Sequence, residues 1–483
     1  MLENRKIESI HRVEQRADDR VPLAYTPMQA ERLEDLGVPE SLALDLFLNY
    51  VYKHGVTRLS ALSRTLKLSI PIAETMFRQL TKQQILEVKG MEGEDYLFAL
   101  TAAGRTLAAE RSQNSRYCGP MPVSITEYCR VVKEQAAEVA VDSESMTEAF
   151  SDLIVTHELI EQLGPAAISQ NPMLLYGPAG TGKTSLAERL LRLYHDYIVI
   201  PYAVEVDGHI VVLYDPVVHR AVEYEDEDLD PRWIVCRRPS ISVGGELVPA
   251  MLDLQLDASS GVYAAPLQMK ANNGILIVDD FGRQVISPRE LLNRWIVPLD
   301  RRVDYLALDY GMKFQIPFEL MVVFSTNLAP AELADEAFLR RMRNKIFVGP
   351  VEAETFDKIF ERVVALKKLP YQPDSAFHLR QLCLARGSGD LRPCVPNDIC
   401  NIIVSISKYK KLTPQINPLQ LERAVNLYFG AGEMKTNSGK FQVAAPLVSA
   451  EVSHPRPARE PFKIEIAHAM PLGSTPVAML ASV

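Results

Sequence analysis

The chain has 483 residues, a net charge of −9, 47% hydrophobic and 23% charged residues. That length calls for about two to four domains, the composition excludes a wholly disordered chain, and the acidic balance excludes a uniformly basic nucleic-acid coat while leaving room for a local basic patch. No apolar run approaches the roughly 18 residues of a membrane-spanning helix, so membrane insertion is not expected. The first residues, MLENRKIESIHRVEQRADDR, are charged throughout and carry no apolar signal core. Both absences point to the cytoplasm. Cys118, Cys129, Cys236, Cys383, Cys394 and Cys400 form no CxxC pair and have no partners at zinc spacing, so they read as reduced thiols.

Residues 1–38 are polar, with one proline-containing stretch, VPLAYTP, and read as a flexible arm. From 39 to 116 the pattern changes. ESLALDLFLNYVYKHG, RLSALSRTLKL and SIPIAETMFRQLTKQQ have apolar residues at helical spacing, the last with Ser69 as N-cap and Pro71 in its first turn. ILEVKGMEGEDYLFALT reads as two strands around a glycine turn, and TAAGRTLAAER as a closing helix. This succession, with its LTAAGR ending, resembles a winged helix-turn-helix domain. The helix that would read a DNA groove carries Arg78 and Lys82 against Glu74. The wing sets Lys89 against Glu92, Glu94 and Asp95. Such a balance is poor for a phosphate-lined groove, so protein docking is favoured and DNA binding stays open.

Residues 117–150 read as a linker and a first helix, SITEYCRVVKEQAAEVA. Between 151 and 350, the apolar strands MLLYG (173–177), GILIV (274–278) and LMVVFST (320–326) alternate with helical stretches. That alternation implies an α/β core with a parallel sheet. Residues 351–430 read as helical, with VEAETFDKIFERVVALKK the clearest segment. Beyond Gly430 the chain is rich in Pro, Ser, Ala and Val without periodicity, and 431–483 reads as a disordered tail.

Gly177, Pro178, Ala179, Gly180, Thr181, Gly182, Lys183 and Thr184, followed by Ser185, match G-x-x-x-x-G-K-[ST] between a strand and an amphipathic helix. Glycines let backbone N–H groups close on phosphate oxygens. Lys183 would neutralise the β- and γ-phosphates of ATP, and Thr184 would ligate Mg²⁺. Asp279 and Asp280 follow the apolar strand Ile275–Val278. Asp279 is placed to hold Mg²⁺ through water, and Asp280 to polarise the attacking water.

The order of P-loop, ILIVDD, VVFSTN (322–327) and DEAFLRR (335–341), followed by a helical region, resembles AAA+ ATPases over roughly 150–430. The resemblance implies Mg²⁺-dependent ATP hydrolysis by a P-loop NTPase fold with a helical lid. Asn327 would be the sensor-1 residue, with Thr326 as its neighbouring fallback. Arg340 or Arg341 would be the arginine finger given across a subunit interface, with Arg343 a weaker candidate. Arg392 in GDLRP would be the cis arginine of the lid. The family usually has Glu where this chain has Asp280, about 1.5 Å shorter in reach, so slow turnover is expected.

The segments LDLQLDASSGVYAAP (252–266) and VDYLALDYGMKFQIPF (303–318) read as hairpins on either side of the Asp279 strand. Their layout is similar to the pre-sensor-1 hairpin branch, the magnesium-chelatase and MoxR-type ATPases. The acidic run 223–230 reads as a solvated loop, and Arg237 and Arg238 as cations without context. The resulting expectation is a homo-oligomeric ring, with a hexamer as the implied size, that remodels a protein client. A DNA-associated loader or regulator, and an ATP-gated switch with little turnover, are the alternatives.

Overall fold

The computed structural model describes residues 21–136, 141–226, 228–333, 339–386 and 389–430. The arm residues 1–20 and the tail 431–483 lie outside them.

At the centre is a five-stranded sheet ordered Ser240–Val243, Ile275–Val278, Met321–Thr326, Met173–Tyr176, Asn344–Phe347. Every neighbouring pair in it is parallel. Its central strands are apolar runs buried on both faces, as parallel strands covered by helices require. This is the α/β P-loop NTPase fold: the strand Met173–Tyr176 runs into the loop Gly177–Gly182 and then the helix Lys183–Arg189. The edge strands SISV and NKIF were not expected, because neither presents a continuous apolar run.

Four helices follow: Ala353–Leu366, Ser375–Arg386, Val395–Tyr409 and Pro418–Phe429. They share a core of their own that includes Phe356, Phe360, Leu379, Ile399 and Leu421.

Toward the N-terminus, the helices Glu40–His54, Leu59–Leu66 and Ile70–Lys82 precede a hairpin, Leu86–Glu92 with Asp95–Leu100, and the helix Ala102–Asn114. A short strand, Thr57–Arg58, completes an antiparallel sheet with Asp95–Leu100 in the middle.

Between these parts lies a β-rich body of which the sequence reading recognised only the hairpin within 252–266. Strand Tyr197–Pro201 pairs with Trp233–Arg237. A second five-stranded sheet runs Gln255–Asp257, Val262–Ala264, His209–Val212, Ala203–Val206, Val123–Ser124. Both expected hairpins are present: Gln255–Asp257 with Val262–Ala264, and Val303–Ala307 with Lys313–Pro317. The N-terminal module is mounted on this body. Its apolar core continues into Ala203, Ile210 and Val262, and the Arg116 N–H donates to the Ser260 carbonyl at 2.8 Å.

Three readings based on polarity need correction. Residues 21–38 are held rather than loose: Leu23 bridges Tyr197, Met28 bridges Leu229, and Leu36 is buried. The acidic run ends in a buried carboxylate, since Asp230 pairs with the equally buried Arg232 at 2.7 Å. Arg232 also donates to the carbonyls of Leu36 (2.8 Å) and Pro122 (3.3 Å), tying the arm and the linker to the β-rich body. Arg238 is likewise buried, with its donors on Asp196 and on the carbonyls of Gln135 and Asn273. It is a structural anchor, and these three partners are its context. Arg232→Ala is expected to lower unfolding free energy by about 3–5 kcal/mol, because Asp230 is left buried without its partner. Replacing both residues by leucine should cost less. Urea denaturation of the two variants measures this; a single variant as stable as the parent would contradict the anchoring role.

Candidate nucleotide site

The site is built from three strand ends and one segment of the C-terminal helical region. The P-loop leaves its strand through Gly177, Gly180 and Gly182, whose φ values are 144°, 79° and 93°. L side chains rarely adopt these conformations. At Gly182 an added Cβ would meet nothing within 4 Å, so the loop presents an open face there. Thr181 is buried and its hydroxyl donates to the Pro178 carbonyl at 3.0 Å, stapling the loop.

Lys183 is 6% exposed. Its ammonium donates to the carbonyls of Gly177 (2.9 Å) and Pro178 (2.8 Å) and to Asn327 Oδ1 (2.8 Å). Burial pushes its pKa below the ordinary lysine value, and the carboxylates of Asp279 and Asp280 oppose that shift. The Thr184 hydroxyl donates to Asp279 Oδ2 at 2.8 Å. The other Asp279 oxygen accepts the backbone N–H of Asp280 at 2.9 Å. Asn327 Nδ2 donates to Asp280 Oδ1 at 3.2 Å, and Asp280 itself sits at φ 49°. Residues far apart in the chain thus close one ring of contacts around Lys183.

The alternatives left by the sequence now separate. Thr326 is buried; its hydroxyl donates to the Phe281 carbonyl (2.7 Å) and accepts the Leu328 N–H (3.1 Å), so it shapes the turn. Asn327 alone of that pair hydrogen-bonds Lys183 and Asp280. Arg341 donates to Asp300 of its own chain at 2.8 Å, whereas Arg340 and Arg343 are exposed. Residues 334–338 of the DEAFLRR motif lie outside the described residues. Ser185 is half-buried in the first helical turn, and Ala179 is exposed at the loop tip.

Two contributors escaped the sequence reading. Gln284 donates to the Asp279 carbonyl at 2.7 Å and accepts the Gly282 N–H at 2.8 Å, fixing the loop after the acidic pair. Cys394, read only as a reduced thiol, donates its backbone N–H to the Gly180 carbonyl at 3.2 Å. A Cβ on Gly180 would fall 2.5 Å from Cys394 Sγ and 3.8 Å from Arg392 Cδ. The segment between the helices Ser375–Arg386 and Val395–Tyr409, which carries Arg392, therefore touches the P-loop directly. No local pattern announces a contact made across more than two hundred residues. Gly180→Ala is expected to weaken nucleotide affinity about tenfold or more through the αL position and the clash together. Adding Cys394→Ala should restore part of the loss. Titration of a fluorescent ATP analogue distinguishes the cases, and a double variant no better than the single would rule the clash out.

The residues present fit a nucleotide with a hard cation. Lys183 sits within the loop as a cation, and Thr184 and Asp279 supply oxygen ligands of the kind Mg²⁺ prefers. Among the described residues no group of three or more His, Cys, Asp or Glu could hold a metal unaided. A cation here would share its coordination with phosphate oxygens.

A family model described as a domain of unknown function, DUF8689, matches residues 352–427. Comparison with curated proteins returned no match. Among solved structures, the chain is similar to a point mutant of RuvB from Thermotoga maritima, at 13% identity and a TM-score of 0.34, covering 58% of this chain and 72% of that one. It is also similar to the Thermotoga maritima RuvB Holliday junction branch migration motor, at 15% identity and a TM-score of 0.31, covering 60% and 72%. The fold assignment rests on the sheet order and the P-loop, not on these likenesses. Among the described residues, no helix is long and apolar enough to cross a membrane.

Proposed function

We propose that this chain is a Mg²⁺-dependent AAA+ ATPase that works as a homo-oligomer and remodels a protein client. The observation that carries the reading is the ring of contacts joining Lys183, Asn327, Asp280, Asp279 and Thr184. In this reading Lys183 neutralises the β- and γ-phosphates, and Thr184 and Asp279 hold Mg²⁺. Asp280 and Asn327 orient the water that attacks the γ-phosphorus, yielding ADP and phosphate. Arg392 approaches from the lid. Arg340 serves a neighbouring copy's nucleotide, because Arg341 is already tied to Asp300. Asp280 is shorter than the family's glutamate, and modest turnover is expected.

The client reading draws on the surface of the N-terminal module, which we take as a winged helix. Three of its cations are neutralised at home: Arg78 pairs with Glu74 (2.6 Å), Lys89 with Glu87 (2.7 Å), and Arg58 with Glu92, which leaves Lys82 as the exposed cation of the helix Ile70–Lys82. Ile70, Val88 and Met91 are exposed beside them. A face with paired charges and free apolar side chains suits a protein better than a phosphate backbone. The hairpin Val303–Ala307/Lys313–Pro317 resembles the pre-sensor-1 hairpin of the MoxR-type branch. Its buried Asp304 binds Arg294, on the helix that follows the Asp279–Asp280 loop, and Gln268 at 2.9 Å. Movement at the nucleotide would reach the hairpin through that helix.

A subunit-mixing experiment tests the oligomeric site. Arg340→Ala and Lys183→Ala chains should each be nearly inactive, and mixing them should recover part of the turnover, since some interfaces regain both an intact P-loop and an intact finger. Absence of recovery in mixed assemblies would sink the trans arrangement. Duplex DNA should leave turnover unchanged; stimulation would favour the DNA-associated reading.

A further inference from the structure

Two helices of the lid end in the same way. Helix Ala353–Leu366 is followed by Lys367, Lys368 and Leu369, and helix Val395–Tyr409 by Lys410, Lys411 and Leu412. In each, the second lysine is left-handed, at φ 53° and 56°. The following leucine N–H closes the turn onto Val364 or Ser407. Glycine or asparagine is the usual residue at such a position. The segments that follow the two helices meet: the Ile416 N–H donates to the Pro370 carbonyl at 2.8 Å, and Tyr371 bridges Ile416.

Helix-dipole complementarity explains cations at these ends, but not the side chains around them. Leu369 is buried as the motif requires, whereas Leu412 is 58% exposed. Leu366 is 74% exposed and Tyr409, between Lys408 and Lys410, is 88% exposed. Tyr371 is exposed as well. In a chain of net charge −9, neither 362–373 nor 399–421 contains an Asp or Glu. Lys367 is used by Asn401 at 2.7 Å. Lys368, Lys408, Lys410 and Lys411 make no ion pair among the described residues and are exposed.

We propose that this end of the lid binds single-stranded nucleic acid. Four unneutralised ammonium groups suit a phosphate backbone, and the projecting tyrosines offer faces on which unpaired bases stack. A duplex hides those base faces. A membrane surface would call for a long apolar face along a helix, and here the apolar side chains project from two helix ends. The proposal does not depend on the ATPase reading, nor on the N-terminal module.

The test is fluorescence anisotropy of labelled oligothymidylate with the full chain. Binding is expected to weaken with salt, with a log–log slope of about −3 for four phosphate contacts. Lys408→Glu/Lys410→Glu/Lys411→Glu should lower affinity at least about a hundredfold, and Tyr409→Ala about tenfold. Melting temperature and far-ultraviolet circular dichroism of both variants serve as the check that they fold. Unchanged affinity of the triple variant would overturn the proposal. So would equal competition by polyglutamate with no effect of Tyr409→Ala, which would indicate an acidic polypeptide partner. Retention on anionic phosphatidylserine vesicles that oligothymidylate fails to displace would overturn it in favour of a membrane surface.

Discussion

Lys183→Ala is expected to reduce ATP turnover by about a thousandfold, the scale of losing a preorganised charge against the transferring phosphoryl group. ATP affinity should fall with it. The reason is local and electrostatic. Lys183 is the cation at the mouth of the loop, and its three hydrogen bonds hold it there rather than in solvent. The protein itself should survive the change. Burial lowers the Lys183 pKa, so the charged form is penalised in the folded state, and that penalty applies below the unfolded-state pKa, which includes neutral pH. Removing the group therefore removes a cost. A melting temperature close to that of the parent, together with lost binding, is the expected pair of results. Intact ATP affinity in Lys183→Ala would mean the site is wrongly assigned.

Asp279→Asn is the second large effect. Asparagine keeps the shape: its Oδ1 can still accept the Asp280 N–H and its Nδ2 can donate to the Thr184 hydroxyl oxygen, so the ring of contacts survives while the charge is lost. Turnover should fall by about a hundredfold or more, with half-maximal activity displaced to higher Mg²⁺. Nucleotide affinity measured in EDTA should hardly change. Kinetics across a Mg²⁺ titration separate this outcome from simple unfolding. An unaltered Mg²⁺ dependence would remove Asp279 from cation binding.

These two residues were legible in the sequence because their signals are local. A strand followed by GPAGTGKT needs only a few neighbours to be read, and four apolar residues before Asp279 identify a buried strand end. The contacts of Asn327 follow from where its strand ends. What stayed hidden is set by tertiary packing. Asp230, Arg232 and Arg238 look solvated by composition, yet the fold buries them because each finds its partner. The strands of residues 197–237 are short and separated by irregular loops, so no sustained period marks them. Cys394 has no sequence mark at all; the packing of the C-terminal helices delivers it to Gly180. The edge strand Ser240–Val243 alternates polar and apolar residues and escapes a search for continuous apolar runs.

The arm was misread for a related reason. Residues 21–38 are polar enough to resemble a tether, but a few backbone pairings and one buried leucine suffice to hold them. Polarity counts side chains, while anchoring here uses carbonyls and N–H groups, including the Leu36 carbonyl that accepts from Arg232.

The most direct test of the central claim is phosphate release by the purified full chain with ATP and Mg²⁺, measured across a range of protein concentrations while particle mass is followed by light scattering. The account predicts modest, Mg²⁺-dependent turnover that rises more steeply than protein concentration as the chain assembles, because the finger comes from a neighbour. No phosphate release at any concentration, with assembly intact, would contradict it.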